Sequence, residues 1–115
     1  MDQISIQIIP QTERDHYYLM VEGKLCGMDA IRFKNDAQKR LSQPLDGMTI
    51  DLSKLKDIDL TGINMLTMLH KDLKKLNIPF AIIVTSNCPF MDKIKETKLH
   101  RFLPFVFKAA SHRNV

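Results

Sequence analysis

Between Met48 and Val84 the chain reads Met48-Thr49-Ile50-Asp51-Leu52, then a polar connection ending in Asp57-Ile58-Asp59. A leucine-rich segment from Leu60 to Leu76 and the run Phe80-Ala81-Ile82-Ile83-Val84 follow. The first and last pieces are short, apolar and bounded by turn signals: Pro44 and Gly47 before one, Asn77 and Pro79 before the other. Such pieces suit strands, and the continuous run from Phe80 suits a buried interior strand. The middle piece repeats differently. Ile63, Leu66, Leu69, Leu73 and Leu76 fall at helical spacing and form one apolar stripe. Strand, long helix and strand in succession predict an α/β fold.

Working outward, Ile4, Ile6 and Ile8 alternate with polar residues up to Pro10, and Tyr17, Leu19 and Val21 repeat the alternation up to Gly23. With the polar turn Gln11 to Asp15 between them, the two predict an antiparallel hairpin. Asp29 is placed to cap a helix carrying Ala30, Phe33, Ala37 and Leu41 on one face, with Asp36 and Arg40 one turn apart to pair. Towards the C-terminus, Ser86-Asn87-Cys88-Pro89 opens a short helix with Pro89 in its first turn. Phe90 and Ile94 face the core from it. Leu103 to Phe107 gives a last strand at the sheet edge, where Pro104 is tolerated. The predicted order is β-β-α-β-α-β-α-β, a mixed β-sheet with helices packed on it. Residues 1–115 make a single domain, with 109–115 a frayed tail.

Composition narrows the function classes. Apolar residues make up 44% and charged residues 26% of 115, an ordinary globular balance. No apolar run reaches the roughly 18 residues a membrane span needs, and no secretory signal opens the chain, so a cytoplasmic protein without membrane insertion is expected. The two cysteines, Cys26 and Cys88, lack metal spacing and are expected as buried free thiols. A formal net charge of +4 is modest. Lys71, Lys74 and Lys75, and Lys93, Lys95, Lys98, His100 and Arg101, fit solvated helix faces. Without tryptophan or aromatic–basic interleaving, no nucleic-acid partner is expected.

The informative segment is Asp57-Ile58-Asp59-Leu60-Thr61-Gly62, at the entrance of the long helix. Asp59 is placed to cap that helix, which puts Thr61 in its first turn. Unpaired N–H groups and the helix dipole favour negative charge there. A phosphate on Thr61 would add up to about two charges and three acceptor oxygens, and Gly62 leaves room beside it. At about 100° per residue, Thr61, Met65, Met68 and Asp72 share a flank next to the leucine stripe. Methionines on such a flank suit adaptable protein contact. The plainer reading of Thr61 is a helix-start residue, and of Met65 and Met68 core filling.

These elements resemble those of STAS domains, the family of bacterial anti-sigma-factor antagonists. Val21-Glu22-Gly23-Lys24-Leu25 resembles the second strand with its Gly-x-Leu, and Thr49-Ile50-Asp51-Leu52-Ser53 the strand that reads Asp-Leu-Ser. Asp59-Leu60-Thr61-Gly62 resembles the Asp-Ser-[Ser/Thr]-Gly signature. Pro79 to Val84 and Leu99 to Phe107 resemble the later strand and the closing segment. The resemblance implies that Thr61, just before the glycine, is phosphorylated by a partner anti-sigma serine/threonine kinase, and that the unphosphorylated form binds that kinase. Asp57, Asp59, Thr61, Gly62, Met65, Met68 and Asp72 would form the partner face. Similar stand-alone domains also serve as small subunits of lipid-transport ABC complexes, bracing the ATPase, which is the alternative partner. Two departures stand out. Leu60 replaces the usual small hydroxyl residue, where inward packing would affect how Thr61 is presented, and the family's closing helix is expected to be truncated after Ala110.

No catalytic constellation is legible. His16, His70, His100 and His112 lack ligand spacing, and His70 is expected as a hydrogen-bonded packing residue. Ser111-His112 lies in the tail. Asp57 and Asp59 suit capping better than acid–base work. The four glycines are scattered, so no phosphate loop, nucleotide or other cofactor is expected, and the protein is expected not to be an enzyme.

Overall fold

Leu19 and Val21, spaced two apart, point to the same side of one sheet as Met48, Ile50, Ile82 and Val84 on its other strands. The structure, a computed structural model, describes residues 5–10, 16–42 and 45–108. Among these the elements run β1 (Ser5–Pro10), β2 (His16–Leu25), α1 (Gly27–Lys39), β3 (Gly47–Asp51) and β4 (Leu55–Ile58). They continue with α2 (Leu60–Lys75), β5 (Phe80–Thr85), α3 (Met91–Thr97) and β6 (Phe105–Lys108). The sheet is mixed and ordered β1-β2-β3-β5-β6. β1 is antiparallel to β2, the hairpin expected, and β2, β3, β5 and β6 run parallel. Parallel neighbours require long crossovers, which α1, α2 and α3 supply.

Helix spacing and strand alternation meet in one hydrophobic cluster. Ala30, Phe33 and Ala37 of α1 and Ile63, Leu66, Leu69 and Leu73 of α2 are buried with Leu19, Val21, Met48, Ile50, Ile82 and Val84 of the sheet and with Leu52 just after β3. Each large side chain contributes about 1.5–3 kcal/mol of transfer free energy. Phe90 and Ile94 join the cluster as expected.

β4 is an addition to the expected order. Its buried residues, Leu55 and Ile58, are three apart, so no alternation marks it. It pairs with the end of β2, from Gly23 to Leu25, while the start of β2, His16 to Met20, pairs with β3. One strand serves two partners because its register shifts at Gly23, which has φ 93°, a conformation that costs glycine little. β2 therefore runs past Gly23 to Leu25.

Several local expectations are corrected. Asp29 is not the cap of α1; Cys26 occupies that position and Asp29 lies inside the first turn. Arg40 donates to the backbone carbonyl of Asp36, whose carboxylate lies 3.8 Å from Lys39. Leu76 leaves the core stripe and is exposed. Asn77 takes φ 58°, and the N–H groups of Asn77 and Ile78 donate to the carbonyls of Lys74 and Leu73. That left-handed helix ending turns Ile78, not Leu76, back onto the core. Pro89 precedes α3, which begins at Met91 after Phe90. His70 stacks on Phe80 at 5.9 Å between centroids, and its buried Nδ1 has no hydrogen-bond partner among the described residues. Burial lowers the imidazole pKa, with Lys74 adding to the effect. Cys26 and Cys88 are free thiols, each half-buried. Ile4, Gln11 to Asp15, Pro44 and Ala109 to Val115, with Ala110, Ser111 and His112, lie outside the described residues.

The sheet face opposite the core cluster carries a polar network. The Tyr18 hydroxyl donates to Asp51, whose other oxygen accepts from the Ser53 amide at 2.9 Å. Burial alone would raise the Asp51 carboxyl, but bonds from Ser53 and Tyr18 outweigh it and hold the carboxyl below its ordinary value. Tyr18 is pushed up to about 12 by burial, then by its bond to Asp51. A lowered carboxyl stabilises the fold above its unfolded value, near pH 4, and that stability is lost as pH falls through the folded value. A raised phenol stabilises below its unfolded value, near pH 10, and that stability is lost as pH rises towards 12. Urea midpoints should therefore fall below about pH 4 and above about pH 10. Tyr18→Phe should reduce the alkaline loss, and midpoints that keep the full wild-type alkaline profile in that variant would contradict the assignment.

Candidate partner-binding site

The entrance of α2 is built by one carboxylate. Asp59, in extended conformation before the helix, accepts from the Gly62 amide at 2.8 Å through Oδ1. Its Oδ2 accepts from the Gly27 amide, the first residue of α1, at 3.0 Å. A single side chain thus satisfies an unpaired amide at each of two helix starts. The backbone joins in, since the Asp59 amide donates to the Leu25 carbonyl at 3.5 Å and Ile63 donates to the Asp59 carbonyl at 3.0 Å.

Gly62 does not leave room; it closes the gap. A Cβ there would lie 2.1 Å from the Leu25 carbonyl oxygen and 2.7 Å from Ile58 Cγ1. Only a residue without a side chain lets α2 start this close to the end of β2.

Thr61 lies in the first turn of α2, partly exposed, and its hydroxyl makes no hydrogen bond among the described residues. The Leu60 and Thr61 amides likewise have no acceptor among the described residues, so the positive helix end is open beside that hydroxyl. Leu60 does not pack inward; it points to solvent at 59% exposure. Asp57 accepts from Lys93 of α3 at 2.8 Å and from the Ile58 amide at 2.9 Å. The Lys93 ammonium holds the Asp57 carboxyl below its usual range, and Asp57 in turn pushes Lys93 up.

The flank expected from the wheel divides in space. Met65 packs against the core, Met68 is exposed, and Asp72 accepts from Gln38 of α1. Asp72 is thereby a tie between the two helices. The start of α1, Cys26, Gly27 and Met28, which Asp59 ties to this end of α2, was not read from the sequence as part of the site. Burial pushes the Cys26 thiol up, and the carboxylates of Asp59 and Asp57 add to it, so it is not an activated thiolate. Among the described residues no group of three or more His, Cys, Asp or Glu is placed to hold a metal ion. None of their helices is long and apolar enough to cross a membrane.

Comparison with known proteins bears on what this site is. The family model described as "STAS domain" matches residues 5–111. The chain belongs to the STAS-domain family. The fold has the same assignment. An anti-sigma factor antagonist from Mycobacterium paratuberculosis superimposes with a TM-score of 0.76 at 16% identity, over 90% of this chain and 85% of that one. A putative anti-sigma factor antagonist from Thermotoga maritima gives 0.75 at 19% identity, over 90% and 86%. The anti-sigma factor antagonist SpoIIAA in its unphosphorylated form gives 0.70 at 12% identity, over 94% and 90%. A search of curated protein sequences found no match.

The STAS signature of this chain, Asp59-Leu60-Thr61-Gly62, is therefore a helix entrance with a defined mechanical role for its first and last residues. Gly62→Ala should cost about 3 kcal/mol through the clash with Leu25, read as a lower urea midpoint. An unchanged midpoint would show that the approach of β2 to α2 is looser than described.

Proposed function

We propose that this STAS domain is a partner-switching regulator of the anti-sigma-factor antagonist type, without catalytic activity of its own, controlled by phosphorylation of Thr61. The observation that carries the reading is the hydroxyl of Thr61. It is partly exposed, without a hydrogen bond among the described residues, and set in the first turn of a helix within the family's signature. In this reading the partner is an anti-sigma serine/threonine kinase in the cytoplasm. Family membership and structural neighbours that are anti-sigma factor antagonists support it, one of them described by its unphosphorylated form.

The physical mechanism follows from charge and position. The open amides of Leu60 and Thr61 and the helix dipole make a phosphate tolerable within the fold. Its roughly two negative charges would nevertheless stand beside the docking surface. Covering them with a partner would strip their water and bring the phosphate close to any partner carboxylate. Modification would thus leave the fold intact and weaken association.

Incubation with a cognate anti-sigma kinase and ATP should place one phosphate on Thr61 by mass spectrometry, and Thr61→Ala should accept none. Thr61→Glu should bind the kinase at least about tenfold more weakly, about 1.4 kcal/mol. Phosphate on another residue, or undiminished labelling of Thr61→Ala, would reject the site. Co-purification with an ABC ATPase and permease in place of a kinase would reject the partner.

A further inference from the structure

Asp59 and Asp57, two and four residues before Thr61, are already engaged within the chain. Asp57 is paired with Lys93, and Asp59 holds the Gly62 and Gly27 amides. Two large apolar side chains are left uncovered at this end. Met28 is 64% exposed and Leu60 59%. Each lies one residue beyond an end of the same 3.0 Å hydrogen bond, between Gly27 and Asp59, so segments distant in sequence present one patch. Leu60 also borders a cleft of about 260 Å³ between the start of α2 and α3, rimmed by Lys93, Glu96 and Thr97 over Ile63.

We infer that Met28 and Leu60 anchor the protein partner, and that the partner meets them with an apolar socket, not with a cationic surface. The inference rests on Thr61 being the regulated residue. Any protein that modifies or reads Thr61 must cover Leu60, its chain neighbour, which fixes the occupant as that partner kinase. Burying two such side chains gives central contacts of the kind that dominate interface energies. Partner lysines or arginines gain little at Asp57 and Asp59, because each of those carboxylates would have to give up an intrachain bond first. Association should accordingly depend weakly on salt.

The test is calorimetric titration of a panel of purified GHKL-type anti-sigma kinases with wild type, Leu60→Ser, Met28→Ser and Leu76→Ser, at about 50 and 500 mM NaCl. Leu76 is the control, exposed at the far end of α2. Thermal melts followed by circular dichroism confirm that each variant is folded. For a kinase that binds, Leu60→Ser should weaken affinity at least about tenfold and Met28→Ser about threefold or more, with Leu76→Ser within about twofold. Wild-type affinity should change less than about threefold between the two salt concentrations. Equal binding of wild type and Leu60→Ser, or a salt effect of tenfold or more, overturns this inference and leaves the Thr61 reading standing. Failure of every kinase to bind wild type overturns both. Self-association in sedimentation velocity that is lost in Leu60→Ser would assign the patch to a second copy, and overturns the inference too.

Discussion

The two oxygens of the Asp59 carboxylate hold the starts of two helices. One accepts from Gly62 and the other from Gly27, so α1 and α2 begin at a common point above the ends of β2 and β4. Unpaired amides at a buried or crowded helix start are costly, and one acidic side chain between two such starts removes one from each. The arrangement works only because Gly62 lets α2 come within contact of the Leu25 carbonyl. Cap and glycine act as one unit: the cap sets where the helix begins, and the glycine sets how near the sheet it begins.

That unit shapes what the surface offers. Capping occupies the most prominent negative charge, and the Lys93 and Gln38 contacts occupy two more. Thr61 is left with an uncommitted hydroxyl, two open amides and apolar neighbours. A site of this kind is quiet until it is modified, because Asp57 and Asp59 beside the hydroxyl are held by intrachain partners. Addition of a phosphate changes its electrostatics by far more than any rearrangement of the existing groups would. The proposed regulation and the proposed apolar docking surface therefore draw on the same cause.

Much of this was legible in the sequence, and the failures have physical reasons. The Asp59 cap on α2 follows from local spacing, since a capping side chain reaches the amide three residues on. Its second acceptor role does not, because Gly27 is 32 residues away and only the fold brings it there. The core stripe of α2 was right through Leu73. Leu76 failed because the left-handed turn at Asn77 ends the helix and hands its place to Ile78. β4 escaped notice because its buried residues do not alternate. Inward packing of Leu60 was open from the sequence, and its place at the first position of α2 points it outward. Asp57 and Asp72, attractive as partner contacts by spacing, turn out to have intrachain partners that no periodicity reveals.

The central claim is that a single carboxylate secures both helix starts, and amide hydrogen exchange followed by NMR tests it most directly. In Asp59→Ala the Gly27 and Gly62 amides should both exchange at least about tenfold faster than in wild type, consistent with the loss of about 1.4 kcal/mol of local protection at each. In Asp59→Asn, which keeps one acceptor oxygen and turns the other into a donor, Gly62 should retain protection and Gly27 should lose it. A Gly27 amide that exchanges at the wild-type rate in Asp59→Ala would contradict the account.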